Sequence, residues 1–338
     1  MGSTRPRIIA TGFIADQPEE ATVFPSAGRN SAAPSFQALY WRCIAMAMYS
    51  VRLSNPDMRP MLFSNVRPPI VDGVDLEAVF GRLGVEVVRL PLTHRLPVGR
   101  VRSWGSVFYF LDILHCLSER EPNAQLALID SDVLVLGDLT GMFAATLGGY
   151  GGYAIDTLPD EDFNGLSRTQ MTSIAIEDAA AIGGPPNVDC VIHRGGELFV
   201  ADMTKVASDL PRLDAIWRAI HAGQGALGRI TTEEHFWSVY FASAARPMVE
   251  LAAYVKRIWT SWRFFTAEPG DEKLAIWHLP AEKRYGLKDL FRWAARHDFD
   301  LDMPVDQFRA RAARLCGLPR ISVAKRLRDA PRWIRYRF

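Results

Sequence analysis

Hydrophobic residues in the first 136 positions follow two alternating spacings. Helical spacing begins after the candidate N-cap Ser35, begins again at Leu76, and begins a third time near Ser103. Short apolar runs typical of buried strands separate these stretches, at residues 8–13, 61–64, 85–90 and 126–129. This alternation predicts a doubly wound α/β fold, with a mostly parallel central sheet, helices on both faces and a nucleotide-binding half at residues 8–136.

The rest of the sequence mixes both spacings. The pattern predicts strands at residues 150–155, 191–200 and 274–277 and helices at residues 213–221 and 233–241. A long stretch rich in Pro, Gly, Ser and Ala follows the first strand at residues 16–35, which indicates a functional or a disordered loop. We expect one large domain at residues 1–300, with its second half at 137–300, and a separate C-terminal segment at 301–338.

Charge is distributed unevenly along a chain whose formal net charge is +1. Residues 309–338 contain ten basic side chains and one acidic side chain, so this tail carries +9 and the preceding residues carry −8. The acidic body argues against general binding to nucleic acid. The tail also holds Trp333, Ile334 and Tyr336, which leaves two interpretations open. It is either a basic amphipathic segment in peripheral contact with an anionic membrane or a helix packed on acidic patches of the body.

Cysteines and apolar stretches restrict the cellular setting. The four cysteines are scattered, and no pair has the C-x-x-C spacing of a structural zinc site or a redox dithiol. No apolar stretch approaches the roughly 18 residues of a membrane span, and no cleavage site follows the short apolar run near the N-terminus. We therefore expect a cytoplasmic protein, with any membrane contact at the cytoplasmic face.

The strongest local signal for chemistry follows the apolar run at residues 126–129. Asp130, Ser131 and Asp132 come directly after it, and a second apolar run begins at Val133. Open parallel sheets bind ligands at the carboxyl ends of their strands, and residues two positions apart in an extended chain point to the same side. The other three D-x-D triplets of the sequence lie in polar loops. We predict that the two carboxylates hold one divalent cation; the alternative is a pair of aspartates that cap a turn.

The run IDSDVLVLGDL at residues 129–139 resembles the D-x-D segment of GT-A glycosyltransferases, particularly the retaining galactosyltransferase and glycogenin-like group. Later segments resemble that group in order, across roughly residues 8–290. These segments are GYAID at 152–156, HRGGELF at 193–199, TEEHFW at 232–237, and WHLP at 277–280 followed by Lys283 and Gly286. The sequence departs from the group at Arg194, where Asn is usual, at Glu234, where Gln is common, and in the permuted order of the last loop.

The resemblance implies a Rossmann-like GT-A fold over residues 1–300. It also implies a hexosyl transfer from a nucleotide-diphosphate sugar, with a UDP-sugar favoured, to a carbohydrate, lipid-linked or small-molecule acceptor with retention of configuration. The implied cofactor is Mn²⁺ or Mg²⁺, and its implied ligands are Asp130, Asp132 and His278, which offer hard oxygens and an imidazole. The residues implied in donor binding are Thr11, Gly12, Phe13, Arg102, Asp130, Ser131, Gly195, Gly196, Glu197 and Lys283.

Several of these assignments have a plain structural alternative. Lys283 would neutralise the leaving diphosphate, or it is a solvated loop lysine. His278 would complete the metal site, or it is a histidine of the core or of the surface. Gly195 and Gly196 would let the backbone approach the sugar closely, or they form a bulge.

The catalytic group is sought among Glu233, Glu234 and Asp156. Glu233 and Glu234 stand at a predicted helix start, where one would stabilise an oxocarbenium-like centre and at least one fits a capping role. Asp156 or Glu197 would act as the general base if the reaction inverts. A group of aromatic residues would serve as an acceptor platform or as core, namely Trp259, Trp262, Phe264 and Phe265.

Other classes of protein share part of this pattern. Haloacid-dehalogenase-like phosphatases also carry D-x-D after a buried strand, with the first aspartate as nucleophile, but that strand normally lies near the N-terminus. A non-catalytic sugar-nucleotide-binding protein would keep the fold without the chemistry. Metal-dependent turnover of a sugar nucleotide distinguishes an enzyme from such a binding protein.

Overall fold

The computed structural model describes residues 5–28, 30–187, 189–243, 248–261 and 264–335, with the backbone alone for residues 331–335. The strands are β1 (Arg7–Phe13), β2 (Arg59–Ser64), β3 (Ile70–Val71), β4 (Val74–Asp75), β5 (Glu86–Arg89), β6 (Gln125–Ile129), β7 (Val133–Val135), β8 (Tyr150–Ala154), β9 (Arg194–Asp202), β10 (Met248–Glu250), β11 (Val255–Arg257) and β12 (Ile276–His278). The α-helices are α1 (Pro34–Ser54), α2 (Leu76–Arg82), α3 (Tyr109–Arg120), α4 (Thr140–Ala145), α5 (Arg168–Glu177), α6 (Ala179–Ile182), α7 (Met203–Ala222), α8 (Glu233–Tyr240), α9 (Gly286–Arg296), α10 (Val305–Cys316) and α11 (Val323–Arg335).

Seven strands form the central sheet in the order β10–β8–β9–β6–β1–β2–β5. Neighbouring strands run parallel except around β9, which is antiparallel to both β8 and β6. In the central strand β1, Ile8, Ile9 and Ala10 are fully buried, as expected of a strand covered on both faces. The prediction of an α/β fold with a mostly parallel central sheet is confirmed.

Alternate residues of β1 face two separate hydrophobic cores. Ile9 and Phe13 pack in the core that contains α1, α9 and α10, whereas Ile8 and Ala10 pack in the core that contains α3, α7 and α8. Helices therefore cover both faces of the sheet. The middle of α1, residues 39–51, is buried around its whole circumference, because α9 and α10 cover the side that an amphipathic helix would expose.

The candidate N-cap Ser35 lies inside α1, whose N-cap is Ala33. Two other helices begin several residues away from the predicted start. Helix α3 begins at Tyr109 and not near Ser103, because Ser103 pairs with Val23 of the long loop and Trp104 has a φ of +56°, which is incompatible with a first helical turn. Helix α7 begins at Met203, earlier than the predicted residue 213, because it continues through Pro211. That proline lies inside the helix, where the sequence pattern favours a break.

A second, three-stranded sheet with the order β11–β12–β7 lies beyond the end of β6. Strand β7 directly follows the D-x-D triplet, and β12 runs antiparallel to it with His278 opposite Val133. Strand β11 runs parallel to β12 with Arg257 opposite His278. This register brings two distant parts of the chain to the residues that follow β6.

The C-terminal segment packs on the rest of the protein over the residues that the structure describes. Helix α10 packs against α9, and in α11 the side chain of Lys325 is buried between Glu282 and Asp329. Arg337 and Tyr336 of the predicted basic tail lie outside the described residues. Among the described helices, none combines the length and the apolar character that crossing a bilayer would require.

Candidate active site

Asp130, Asp132 and His278 come together at the carboxyl end of β6. His278 Nε2 lies 3.5 Å from Asp130 Oδ2 and 3.3 Å from Asp132 Oδ2. One ligand atom from each of the three side chains lies within 4.8 Å of the other two. The pairing of β12 with β7 is responsible, because it sets His278 beside the residue that follows Asp132. The structure thus groups the three side chains that the resemblance implies as metal ligands.

Asp132 is fully buried and stays ionised through its neighbours. Burial by itself would raise its pKa, but the positive charges of Lys283 and His278 outweigh burial and lower that pKa well below its usual value. Lys283 Nζ donates a hydrogen bond to Asp132 Oδ2. For His278, burial would lower the pKa, but the charges of Asp132 and Glu197 outweigh it and raise the pKa to about 9.

The donor set fits a hard divalent cation. The second carboxylate oxygen of Asp132, Oδ1, is buried and accepts no hydrogen bond from any described residue. Leaving such an atom unpaired costs free energy, and a cation bound there would remove that cost. The Asp130 side chain is 44% exposed and gives the site an opening to ligands. Two carboxylates and an imidazole are ligands that Mn²⁺ accepts, and the carboxylates also suit Mg²⁺.

Glu197 supports His278 from the side away from the aspartates. Its Oε1 lies 3.5 Å from His278 Nδ1, and the carboxylate is fully buried. Burial would raise the pKa of Glu197, but Arg257 and His278 outweigh it and lower the pKa to about 2. A charged carboxylate behind a ligand histidine fixes the orientation of its ring. Glu197 therefore contacts His278, and it does not line either of the two cavities described below.

Arg257, at the end of β11, connects two buried glutamates. It donates to Glu197 from Nε at 3.1 Å and from Nη2 at 2.7 Å, and Nη2 also donates to Glu234 Oε1. Glu234 Oε2 accepts a hydrogen bond from Asn164 Nδ2 at 2.7 Å. Burial opposes ionisation of Glu234, but Arg257 outweighs it and lowers the pKa. Arg257 was not among the residues predicted from the sequence, since a lone arginine after a three-residue strand belongs to no motif.

Glu233 differs from its neighbour Glu234. Burial and the charge of Glu234 raise the pKa of Glu233 to about 8. A Cβ atom at Gly196 would lie 2.7 Å from Glu233 Oε1, so only a glycine at this position leaves room for the Glu233 side chain. A Cβ atom at Gly195 would instead displace Glu197, at 2.1 Å from Oε2. Each of the two glycines thus makes room for a glutamate.

Two cavities meet at Asp130 and Glu233. The first, here called the apolar cavity, is lined mainly by hydrophobic and aromatic side chains and by the backbone of two glycines, including Gly12, Phe13, Phe36, Tyr40, Tyr109, Phe110, Ile113, Ser131, Gly196 and Trp237. The second, here called the polar cavity, is lined by the charged or titratable side chains of Glu234, Arg257, His278 and Lys283 and also by Asn164 and Trp259. Asp130 and Glu233 line both, so a ligand that spans the cavities passes these two side chains.

Thr11, Arg102 and Asp156 are among the residues assigned to the site from sequence that line neither cavity. Thr11 is fully buried beneath the sheet edge, because it points to the face of β1 opposite Gly12, whose Cβ position faces Tyr109 and Ile113 of α3. Arg102 is exposed, because the chain at residues 101–104 does not form the predicted helix start. Asp156 is exposed beyond the end of β8. The cavities give no support to the roles assigned to these three residues, which stay predictions.

The aromatic group lies at the rim of the polar cavity. Trp259 lines that cavity, and its ring packs edge-on against Phe264 with the ring centroids 5.7 Å apart. Phe264 is 55% exposed and Phe265 is 42% exposed, which excludes a core role for these two side chains. Trp262 lies outside the described residues.

Comparisons with known proteins give a likeness of fold. No protein-family model matches the sequence, and no curated protein matches it. An active-site mutant of LgtC is similar over 80% of this chain and 86% of that chain, with 12% identity and a TM-score of 0.48. The galactosyltransferase LgtC with donor and acceptor sugar analogues covers the same shares at 11% identity and a TM-score of 0.46. Mouse xyloside xylosyltransferase 1 is similar over 82% of this chain and 98% of that chain, with 11% identity and a TM-score of 0.46. At such values, function has to be inferred from the side chains of the site.

Proposed function

We propose that this protein is a metal-dependent glycosyltransferase that moves a sugar from a nucleotide-diphosphate donor to a hydroxyl of an acceptor, with retention of anomeric configuration. The observation that carries the proposal is the cluster of Asp130, Asp132, His278 and Lys283 at the carboxyl end of a parallel strand, beside the apolar cavity. This position in an open α/β sheet is where nucleotide ligands bind.

The charged cluster is suited to a diphosphate. Asp130, Asp132 and His278 would hold Mn²⁺ or Mg²⁺, and the cation when bound would neutralise negative charge on the leaving diphosphate. Lys283 lines the polar cavity next to the same aspartates and would add a second positive charge to the diphosphate. The orphaned oxygen of Asp132 supports the assignment of a cation, and it does not depend on the fold comparisons.

The apolar cavity is suited to the nucleoside. Phe13, Phe36, Tyr40 and Tyr109 line it and offer aromatic faces and edges against which a base or ribose packs. We propose a pyrimidine base, as in a UDP-sugar. Ser131 at the same wall has a hydroxyl that can bond to the ribose.

Glu233 is the side chain that we propose to contact the reacting sugar and to stabilise its transition state. It lines both cavities beside Gly196, whereas Glu234 is held by Arg257 and Asn164. In the proposed reaction, the bond between the anomeric carbon and the leaving phosphate oxygen breaks while the acceptor oxygen bonds to that carbon on the same face. The acceptor proton passes to the leaving diphosphate. A carboxyl oxygen of Glu233 on the opposite face would stabilise the positive charge that develops on the sugar.

The acceptor would enter along the polar cavity. Trp259 and the exposed Phe264 at its rim offer the aromatic faces on which a sugar ring stacks, which supports a carbohydrate or a glycolipid as acceptor. Helix α11 exposes Val323 and Leu327 at 72% and 71% beside the basic Arg326. We propose that this outer face of α11 makes peripheral contact with an anionic membrane and so brings the enzyme to a lipid-linked acceptor.

A donor screen tests the proposal. Thermal unfolding is measured with UDP-, GDP-, ADP- and TDP-sugars, each with Mn²⁺ and with a chelator. A donor present at about 100 times its dissociation constant adds about 2.7 kcal/mol to the free energy of unfolding, and we expect this with a UDP-sugar and Mn²⁺ together. Metal-dependent release of UDP, with retention in the NMR spectrum of the first product, would support transfer. Binding without any turnover would support the sugar-nucleotide-binding alternative, and no response to any donor would overturn the proposal.

A further inference from the structure

A second group of metal-ligating side chains lies outside the candidate active site. His94 belongs to the segment before α3, His115 lies on α3, and Asp214 lies on α7. One ligand atom from each lies within 4.8 Å of the other two, although 99 residues separate His115 from Asp214 in the sequence. All three side chains are partly exposed, at 15%, 34% and 29%, so the group is open to solvent.

His94 is oriented by a buried carboxylate. Its Nδ1 lies 2.7 Å from Asp112 Oδ1, and the side chain of Asp112 is 5% exposed. Asp112 also accepts hydrogen bonds from the backbone N–H groups of Thr93 and His94, at 3.0 and 3.2 Å. A carboxylate bonded to one nitrogen of an imidazole is the usual support of a histidine that binds a metal through its other nitrogen. This support leaves Nε2 of His94 to face a ligand.

His115 and Asp214 complete the group from two helices. His115 Nε2 lies 2.7 Å from Asp214 Oδ1. The rings of His94 and His115 are stacked, with an angle of 15° between their planes and centroids 5.6 Å apart. His115 Nε2 is thus hydrogen-bonded to the Asp214 carboxylate, and a ring nitrogen of His94 lies within 4.8 Å of the ligand atoms of both residues.

We propose that His94, His115 and Asp214 bind a divalent cation of the zinc class, with water in the remaining coordination position. Two imidazole nitrogens and one carboxylate oxygen form a donor set that zinc accepts. Ligand bonds of about 2.1 Å place two donor atoms at most about 4.2 Å apart, so small side-chain rotations close the observed spacing around an ion. The ion would take the place of the hydrogen between His115 and Asp214, and the proton would leave to solvent.

The site connects two helices next to the apolar cavity. It opens into a surface cavity of about 520 Å³ that is also lined by Cys116, Glu119 and Trp217. Helix α3 lines the apolar cavity with Tyr109 and Ile113. It also lines the surface cavity beside the proposed zinc site, with residues that include His115. A bound cation would therefore tie α3, a wall of the apolar cavity, to α7.

Calorimetric titration of the full chain with Zn²⁺ tests the site, in excess Mg²⁺ that occupies the hard-ligand site at Asp132. The variants are His115→Ala, Asp214→Asn and His297→Ala, of which the last removes an exposed histidine elsewhere as a matched control. We expect the wild type and His297→Ala to bind one Zn²⁺ with equal affinity, and the two site variants to bind it at least tenfold more weakly. Co²⁺ added to the wild type should give visible absorption bands that are absent in His115→Ala.

The variant His278→Ala separates this site from the candidate active site. It should keep the Mg²⁺-resistant Zn²⁺ binding, because His278 belongs to the other group. Circular dichroism establishes that each variant is folded. Undiminished Zn²⁺ affinity in folded His115→Ala and Asp214→Asn would overturn the proposal, as would a wild type that binds no Zn²⁺ in excess Mg²⁺, or loss of the binding in His278→Ala alone.

Discussion

Arg257 donates two hydrogen bonds to Glu197, at 3.1 and 2.7 Å, and so holds the fully buried Glu197 carboxylate behind His278. Glu197 lines neither cavity, whereas Arg257 also lines the polar cavity. They place a negative charge 3.5 Å from His278 Nδ1, on the side of the ring away from Nε2, which faces Asp130 and Asp132. The ion pair of Arg257 and Glu197 therefore lies behind the candidate metal ligand His278 and supports it.

Replacing Arg257 should weaken metal binding without removing a ligand. The variant Arg257→Lys keeps the charge but loses the two-pronged hydrogen bond to Glu197, so the His278 ring loses its support. We expect Mn²⁺ affinity, measured by calorimetry, to fall by about 10- to 100-fold. Arg42→Lys is the matched control, because Arg42 is also buried and pairs with Asp72 elsewhere. Equal losses in both variants would indicate a general effect on stability.

Replacing Asp132 should remove metal-dependent turnover. Asp132→Asn takes away the charge that pairs with Lys283 and His278 and the oxygen that has no hydrogen-bond partner. Loss of a residue that only supports a metal ligand reduces affinity or activity by up to about 100-fold. Asp132 is a proposed direct ligand, so we expect turnover of the donor to fall by more than that. Asp302→Asn, in the exposed loop of another D-x-D triplet, should keep wild-type turnover. A fully active Asp132→Asn protein would contradict the proposed metal site.

Glu233 should make the stability of the ligand-free protein fall as pH rises. Its pKa is about 8 in the folded protein and 4.5 without the fold, so between these values the folded state holds more protons than the unfolded state. The favourable contribution of Glu233 to the free energy of unfolding is complete below about pH 4.5, and it is lost as the pH rises through 8. Glu233→Gln imitates the protonated form. We therefore expect urea unfolding to show equal stability of both proteins near pH 4.5 and a more stable variant above pH 8.

Two comparisons test whether this slope belongs to Glu233. The exposed Glu177→Gln variant should follow the wild type at every pH. A Glu233→Gln protein that keeps the wild-type difference in stability between pH 5 and pH 8 would show that Glu233 is ionised throughout this range.

Lys325 should couple the C-terminal helix to the loop that carries Lys283. Its ammonium group is buried and bonds to Glu282 Oε2 at 2.8 Å, and the same Glu282 oxygen accepts a hydrogen bond from the backbone N–H of Gly286. Lys325→Met leaves Glu282 buried with a reduced number of partners. We expect a loss of about 3–5 kcal/mol in the free energy of unfolding.

The matched control for this prediction is Arg314→Met, which changes an exposed basic residue on the neighbouring helix α10. Surface changes of this kind usually alter stability by no more than about 0.5 kcal/mol. If the Lys325 variant also binds the donor more weakly under conditions where it is folded, the contact with Glu282 positions Lys283. If both variants unfold like the wild type, the buried ion pair contributes nothing to the fold.

The outer face of α11 should bind anionic vesicles. In sedimentation with phosphatidylserine-containing vesicles at low salt, we expect the full chain to pellet and to be released at high salt, because basic residues near such a surface are attracted by about 1 kcal/mol each. Val323→Glu/Leu327→Glu should stay in the supernatant, since it places charge on the exposed apolar positions. Leu158→Glu, at an equally exposed leucine elsewhere, should still pellet. Vesicle binding that survives in the double variant would exclude this face as the contact.

The sequence alone determined the order of the main strands and helices in the first 136 residues and the position of the D-x-D triplet at a strand end. Strands buried on both faces need continuous apolar runs, and helices need apolar residues every three or four positions, so both elements can be recognised locally. The strand predicted at residues 126–129 differs from β6 by one residue, and Asp130 follows it as predicted. Local composition could not predict that Thr11 faces away from the cavity while Gly12 lines it, because that depends on which face of β1 meets α3.

Tertiary structure decided how distant residues share the site. Arg257 and His278 reach Glu197 and Asp132 because β11, β12 and β7 pair in one small sheet, and no short segment of sequence contains that register. The difference between Glu233 and Glu234 has the same origin. Both glutamates begin α8, but Arg257 reaches one carboxylate, which becomes charged, while burial leaves the other with a raised pKa. Charge in a buried site depends on which groups the fold brings within a few ångströms, and the spacing of residues along the chain carries no record of that.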